Sequence, residues 1–257
     1  MSIPNYNIGL QQNKIQIIMD SQHLKNILDF YKNILNEIEK ADDPSKIKIE
    51  IDKLPAIQYW NEDVFNKGHF HPTAGLPWEI GHHDKNIEEV LDCQSGSVLE
   101  LGCGSGNDAI WFAKKGFNVT AVDISEKEIN LAKEKSKGIS NINYILDDIH
   151  SFSTEEKFDI IYDRGCIHNN QSSLVNILFP KLYQLLKDDG KIIILTSDKN
   201  LPDELKREQN IPRISIIECN CQNLFKITLV KEIIFEQNEG YDDCLGHLFI
   251  LKKKYNE

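Results

Sequence analysis

Beyond Gly81, short apolar runs alternate with stretches of helical periodicity, a pattern that a chain satisfies by building a parallel sheet and covering both of its faces with helices. The runs predict strands over Ser97–Leu101, Asn118–Val122, Ile142–Leu146, Phe158–Tyr162, Lys191–Thr196, Phe225–Phe235 and Leu245–Lys252. Helices are predicted near Asn107–Lys115, Glu126–Lys137, Ser172–Leu186 and Ile216–Gln222. The second has good local support: Ser125 stands where it can cap, Glu128 where it completes a capping box, and Ile124 where it staples against Ile129. Only Glu236–Cys244 separates the last two strands, too little for a helical crossover, so an antiparallel terminal pair and a sheet mixed at one edge are expected.

The preceding region has a different texture. Leu24, Ile27, Leu28, Tyr31, Ile34, Leu35 and Ile38 form the stripe of an amphipathic helix over Ser21–Lys40, stopped by Asp42, Asp43 and Pro44. Ile47–Leu54 alternates Ile with Lys, Glu and Asp, and Trp60–Gly81 gathers aromatic, Pro, Gly and His residues without periodicity. Residues 1–80 therefore read as a helical N-terminal extension and lid, and residues 81–257 as the main domain. Tyr59, Trp60, Phe65, His69, Phe70, His71 and Trp78 suit a pocket wall, since they offer apolar area with a few polar handles.

Charge narrows the function classes. With 29 Lys and Arg against 40 Asp and Glu, the formal net charge of −11 on average repels polyanions, so no nucleic-acid partner is expected. No apolar run approaches the roughly 18 residues of a membrane span, and Met1–Leu10 lacks the basic and apolar regions of a signal peptide. A cytoplasmic protein with no membrane partner is expected, either monomer or homodimer. The six cysteines show no CxxC pair, which favours reduced thiols over a disulfide framework or zinc ribbon. Ser215 and Glu218 signal a helix start that would turn Cys219 and Cys221 different ways. His69, His71, His82 and His83, with Asp84 adjacent, have no spacing that defines a closed metal site, and no metal is expected.

The chemistry-bearing segment is Val98–Asn107, where a buried strand runs into Gly102, Gly104 and Gly106 before a helix. Glycine there lets the backbone approach a ligand and adopt positive φ. The spacing is GxGxG, not the GxGxxG of a dinucleotide fold, because position 107 is Asn. Glu100, two residues before the first glycine, would oppose a pyrophosphate and favour a ligand that carries an ammonium group. Asp123 follows Gly102 by 21 residues, the separation at which nucleoside-binding folds place a ribose carboxylate. Asp147 and Asp148 end the third strand, where an acid can meet an adenine amino group, and the fourth strand runs into Asp163-Arg164-Gly165-Cys166.

In that order, these residues resemble the class I S-adenosylmethionine-dependent methyltransferases. The acid and glycine motif resembles Glu100–Gly106, the ribose acid Asp123, the adenine acid Asp148 followed by Ile149, the segment touching the methionine moiety Asp163–Cys166, and the Gly-turn-strand motif Asp189–Ile194. Pro77-Trp78-Glu79-Ile80-Gly81 and Asp163-Arg164-Gly165 look like the small-molecule branch that includes thiopurine and other thiol methyltransferases. The resemblance covers Gly81–Lys253 and implies a Rossmann-like α/β fold, a seven-stranded and mostly parallel sheet with an antiparallel last strand. It implies S-adenosyl-L-methionine as cofactor, with contacts at Trp78, Glu100, Gly102, Cys103, Gly104, Asn107, Asp123, Ile124, Asp148, Ile149, Asp163 and Arg164. The implied activity is methylation of a small-molecule acceptor at sulfur or another soft heteroatom, with Asp163 and His168 as candidate catalytic groups. Two other readings stay open, a protein or amino-acid side-chain methyltransferase and a cofactor-binding partner subunit without catalysis.

Overall fold

Seven strands form one sheet: β1 (Ser97–Leu101), β2 (Asn118–Asp123), β3 (Ile142–Leu146), β4 (Phe158–Arg164), β5 (Leu186–Ser197), β6 (Phe225–Phe235) and β7 (Cys244–Lys253). Between them lie α1 (Asn107–Lys114), α2 (Glu126–Lys135) and α3 (Ser172–Leu185). This computed structural model describes residues 76–167, 172–197, 217–218 and 221–254, all within one compact unit of the chain. The strand order is β3-β2-β1-β4-β5-β7-β6. β1 pairs in parallel with β2 and β4, β2 with β3, and β4 with β5, whereas β7 runs antiparallel to both β5 and β6. The antiparallel strand thus sits one place in from the edge, between β5 and β6, and not at the edge itself.

β1 is buried along its whole length, as a central strand covered on both faces must be. On one face, α3 lays Leu178, Phe179, Leu182 and Leu185 against Leu99, Ile161, Ile192, Ile194 and Phe249. On the other, Ala109, Phe112 and Ala113 of α1 and Ile129 of α2 pack on Val98, Val119, Ile160 and Ile193. Phe112 meets Phe117 and Tyr162 edge to face at 5.6 and 5.3 Å, a geometry that aromatic quadrupoles favour.

Two expectations need correction. β5 starts at Leu186, directly after α3, not at Lys191: Leu186 pairs with Phe158, and the register then shifts before Lys191 pairs with Ile160. Asp189 and Gly190 belong to this irregular first half of the strand; a Cβ on Gly190 would stand 2.8 Å from Leu186 Cδ1 and 3.0 Å from the Asp159 carbonyl. The capping box on α2 is half formed: Ser125 Oγ accepts from the Glu128 amide at 3.4 Å, but the Ser125 amide donates to Asp123 Oδ1 at 2.8 Å and not to Glu128. Of the helix predicted at Ile216–Gln222, residues 217, 218 and 221 are described and helical, whereas Gln222 is already in a turn. The helix Ser21–Lys40, the segment Ile47–Leu54 and the capping signal at Ser215 lie outside the described residues, as does Cys219. The other five cysteines are free thiols. Among the described residues no helix is long and apolar enough to cross a membrane.

Candidate functional site

The chain leaves β1 outward to β2 and β3, then returns to β4 on the other side of β1, which opens a crevice at the carboxyl ends of β1 and β4. The glycine loop fills the turn out of β1. Gly106, at φ 80°, is the N-cap of α1, and a Cβ there would stand 2.7 Å from Tyr144 Oη and 2.9 Å from Ala132 Cβ, so its bareness lets α1 pack beside β3 and α2. Gly104, at φ 50°, is different: a Cβ would meet only Glu128 Oε2, at 4.0 Å, so its backbone faces open space. Two bonds hold the loop to β2. The Cys103 amide donates to the Val122 carbonyl at 3.1 Å, and the Gly104 amide donates to Asp123 Oδ2 at 2.7 Å. Asp123 therefore fixes both the loop and, through the Ser125 amide, the start of α2.

Two buried carboxylate oxygens at this edge, Glu100 Oε2 and Asp163 Oδ2, find no hydrogen-bond partner among the described residues. Their strands are paired, with Leu101 opposite Asp163. Burial pushes the Glu100 carboxyl well above its ordinary range, and the charges of Asp108, Asp123 and Asp163 push the same way. Burial raises Asp163 to about 7, against the opposing pull of the Ile167, Cys166 and Gly165 amides. Asp163 Oδ1 accepts from the Ile167 and Cys166 amides at 2.9 and 3.1 Å, which fixes the carboxylate. Uncompensated carboxylates in a dry site fit a cation, and the ammonium and sulfonium of S-adenosylmethionine match that chemistry.

At the end of β3 the chain forms a tight acidic turn. Asp148 is buried, and its Oδ1 accepts from the His150 amide and meets His150 Nδ1, both at 2.8 Å. Burial pushes Asp148 up, but these His150 contacts hold it below its usual value. Asp147 Oδ1 is occupied by the Asp148 amide and Ser151 Oγ at 2.8 and 2.7 Å. Lys181 of α3 donates to the Ile149 carbonyl at 2.9 Å and so ties this turn to α3; burial lowers the lysine to about 8.

The segment Leu76–Ile87 crosses the crevice as a strap ending in a 3-10 turn at Lys85–Ile87. Trp78, Glu79, Ile80 and His82 of the strap face Glu100, Gly102, Cys103, Gly104, Ser105, Asn107, Asp108 and Arg164 across one cleft. Glu79 anchors it: Oε1 accepts from Asn107 Nδ2 at 2.7 Å, Oε2 from Ser105 Oγ, and Lys135 Nζ lies 3.5 Å from Oε1. Burial pushes Glu79 up, but these donors hold its carboxyl below the usual range. His82 contacts Glu236 at 3.1 Å, and His83 stacks on Trp111 with ring centres 4.7 Å apart.

Of the residues expected at the site, Trp78, Glu100, Gly102, Cys103, Gly104, Asn107 and Arg164 line this cleft together. Asp123 and Ile124 stand at the end of β2, Asp148 and Ile149 just beyond β3, and Asp163 at the end of β4, all on the same sheet edge. His168, His69, His71, Tyr59, Trp60, Phe65 and Phe70 lie outside the described residues. The sequence reading missed Glu79, Ser105, Lys135 and Asp84 as parts of the site. Glu79 had a usable signal, its place inside Pro77–Gly81; Lys135, in the basic last turn of a helix, had none.

Residues 94–244 match the family described as Methyltransferase domain. Malonyl-[acyl-carrier protein] O-methyltransferase 1 of Ilyobacter polytropus is 28% identical over 61% of this chain and 62% of its own length. Thiocyanate methyltransferase 1 of Brassica oleracea is 28% identical over 46% of this chain and 55% of its own length. The chain thus spans less than two thirds of these relatives. The solved structure of a TehB-like SAM-dependent methyltransferase from Corynebacterium glutamicum superposes with a TM-score of 0.51 at 16% identity, over 66% of this chain and 86% of that one, a likeness of fold.

Proposed function

From a chain that belongs to the methyltransferase-domain family, we propose an enzyme that moves a methyl group from S-adenosylmethionine to a small molecule, at sulfur or another soft heteroatom. The observation that carries the reading is the buried, unpartnered oxygen of Glu100, which lines one cleft with Gly104, together with a second such oxygen on Asp163 at the end of the neighbouring strand. In it, Glu100 and Asp163 hold the ammonium end, Asp123 and Ile124 the ribose, and Asp148 and Ile149 the adenine.

When bound, the cofactor supplies an already activated methyl on a neutral leaving group, so the protein's task is chiefly to align an acceptor. A thiol acceptor ionises near neutral pH with modest help and needs no dedicated base. For an amine or hydroxyl acceptor, Asp163, whose Oδ2 is unpartnered at the end of β4, is a candidate to take the proton. His168 remains a second candidate for that role. The sulfur preference draws on Pro77–Gly81, on Asp163–Gly165 and on the similarity to a thiocyanate methyltransferase; the similarity to an O-methyltransferase pulls the other way. Residues 1–80 serve in this reading as an N-terminal extension whose last residues, Trp78–Ile80, belong to the wall of the cofactor cleft, and the protein works in the cytoplasm as a monomer or homodimer.

The test is to incubate the purified chain with methyl-labelled cofactor and a panel of small thiols, amines and hydroxyls. Label on thiols in preference to the others is expected. Label on proteins only, or cofactor binding with no transfer to any acceptor, would replace the proposal with one of the two alternatives above.

A further inference from the structure

Arg164 directly follows Asp163 at the end of β4, and each of its three guanidinium nitrogens donates to a protein group. Nε donates to Asp84 Oδ2 at 2.7 Å, Nη1 to the Trp78 carbonyl at 3.3 Å, and Nη2 to the Glu236 carbonyl at 2.7 Å. Its Cζ lies 4.4 Å from the centre of the Phe235 ring. The Arg164 side chain is 8% exposed and that of Asp84 1%, so the pair is desolvated. The three acceptors come from two places far apart in sequence, the strap and the turn after β6. Other bonds follow the same seam: the Asn238 amide donates to the Pro77 carbonyl at 2.8 Å, Asn238 Nδ2 to the Leu76 carbonyl at 3.3 Å, and Asn86 Nδ2 to the Ile234 carbonyl at 3.0 Å.

We propose that Arg164 is a positioning residue, which sets the height of the strap over the cofactor cleft by gripping the Trp78 carbonyl while Glu79, the next residue, locks onto the glycine loop. The role rests on the reading that the cleft binds S-adenosylmethionine. The strap has two fixed points one residue apart. Glu79 sets its distance from Ser105 and Asn107, and Arg164 sets its distance from β4 and from the turn after β6. Trp78, Glu79 and Ile80 all line the cleft, so a shift of either point moves the wall that a ligand would meet. A planar fork is needed: one guanidinium donates along three directions at once, whereas a lysine ammonium placed near Asp84 would leave the two carbonyls behind.

The test uses Arg164→Lys in the full chain, with Asp84→Asn as a milder second variant that removes the charge and leaves one acceptor oxygen for Arg164 Nε or Asn86. Hydrogen exchange is followed at the amides of Glu79, Gly81 and Asn238, and affinity for S-adenosylhomocysteine is measured by calorimetry. In Arg164→Lys these three amides should exchange about tenfold faster or more while those of β1 and β4 stay protected, and affinity should fall about tenfold or more. Asp84→Asn should move both readouts in the same direction by less. Three results would overturn the role: unchanged strap exchange and affinity, a looser strap with wild-type affinity, or lost affinity with an unchanged strap, the last meaning that Arg164 meets the ligand itself. If Arg164→Lys fails to fold, Asp84→Asn decides by the same criteria. Failure of the wild-type chain to bind S-adenosylhomocysteine would instead remove the functional reading, and this role with it.

Discussion

The Gly104 amide donates a 2.7 Å hydrogen bond to Asp123 Oδ2, so the acid that ends β2 holds the middle glycine of the loop that ends β1. One carboxylate thus joins the two strand ends between which a nucleoside is proposed to bind. Its other oxygen, Oδ1, accepts from the Ser125 amide at 2.8 Å and starts α2.

Asp123→Ala removes both bonds and leaves two amides to find other partners. A hydrogen bond to a charged group is worth about 1.5–3 kcal/mol, and 1.4 kcal/mol is about tenfold in affinity. The loss of both bonds should lower the thermal stability of the free protein, and the loss of the carboxylate proposed to accept from the ribose hydroxyls should lower affinity for S-adenosylhomocysteine about tenfold or more. Calorimetry and a melting curve check both, and unchanged affinity would show that Asp123 does not serve the cofactor.

Gly104→Ala separates ligand space from backbone strain. A Cβ at this position meets nothing closer than 4.0 Å, so the stability cost comes from placing a side chain at φ 50°. That cost is about 1–2 kcal/mol. The variant should fold, melt a few degrees lower and bind cofactor poorly, because the added methyl stands where the ligand is proposed to approach the loop. Full binding in a folded Gly104→Ala variant would place the ligand elsewhere.

Glu79→Gln keeps the shape of the latch, removes its charge and turns one of its two acceptor oxygens into a donor, whereas Glu79→Ala removes the latch. Lys135 and Glu79 are about one third exposed, so their ion pair at 3.5 Å contributes only about 0.2–1 kcal/mol. The Gln variant should keep nearly full stability and most of its cofactor affinity, and the Ala variant should lose affinity through a freed strap. Equal effects from the two variants, measured by melting and by calorimetry, would show that an amide cannot replace the carboxylate as acceptor for both Ser105 and Asn107.

Much of this was readable in advance because it depends on local pattern. The bounds of β1, β3 and β6 follow from apolar runs flanked by turn residues, and the shared edge of Glu100, Asp123, Asp148 and Asp163 follows from parallel strand direction alone. The strap network was not readable, since Arg164 reaches Trp78, Asp84 and Glu236 across 86, 80 and 72 residues of sequence, and no periodicity encodes such contacts. The start of β5 was hidden for a related reason: Lys187, Asp188 and Asp189 read as a polar turn, but they lie within the strand, in the irregular stretch between the Leu186–Phe158 and Lys191–Ile160 pairs.

Cofactor binding should be linked to proton release. Glu100 and Asp163 are both raised by burial, Asp163 to about 7, and Asp108, raised to about 6 by burial despite Arg164, lies in the same cluster. The groups around them are Asp123 on β2, Tyr162 and Arg164 on β4, and Asp84 on the strap, with Arg164 already paired to Asp84. The free protein near neutral pH therefore holds protons here that a bound cation would displace. For the free protein, an acid with a raised folded pKa contributes stability that is fully present below its unfolded value near 4 and is lost as pH rises through about 7. For binding the sign reverses, since the cation prefers the ionised carboxylates. Affinity for S-adenosylhomocysteine should rise from pH 6 to pH 8, by at most about tenfold per unit for each proton released. The rise in melting temperature that the ligand produces should grow over the same range. Calorimetry in two buffers of different ionisation enthalpy counts the protons directly, and equal affinity at both pH values with no net proton exchange would show that neither carboxylate faces the ligand's charge.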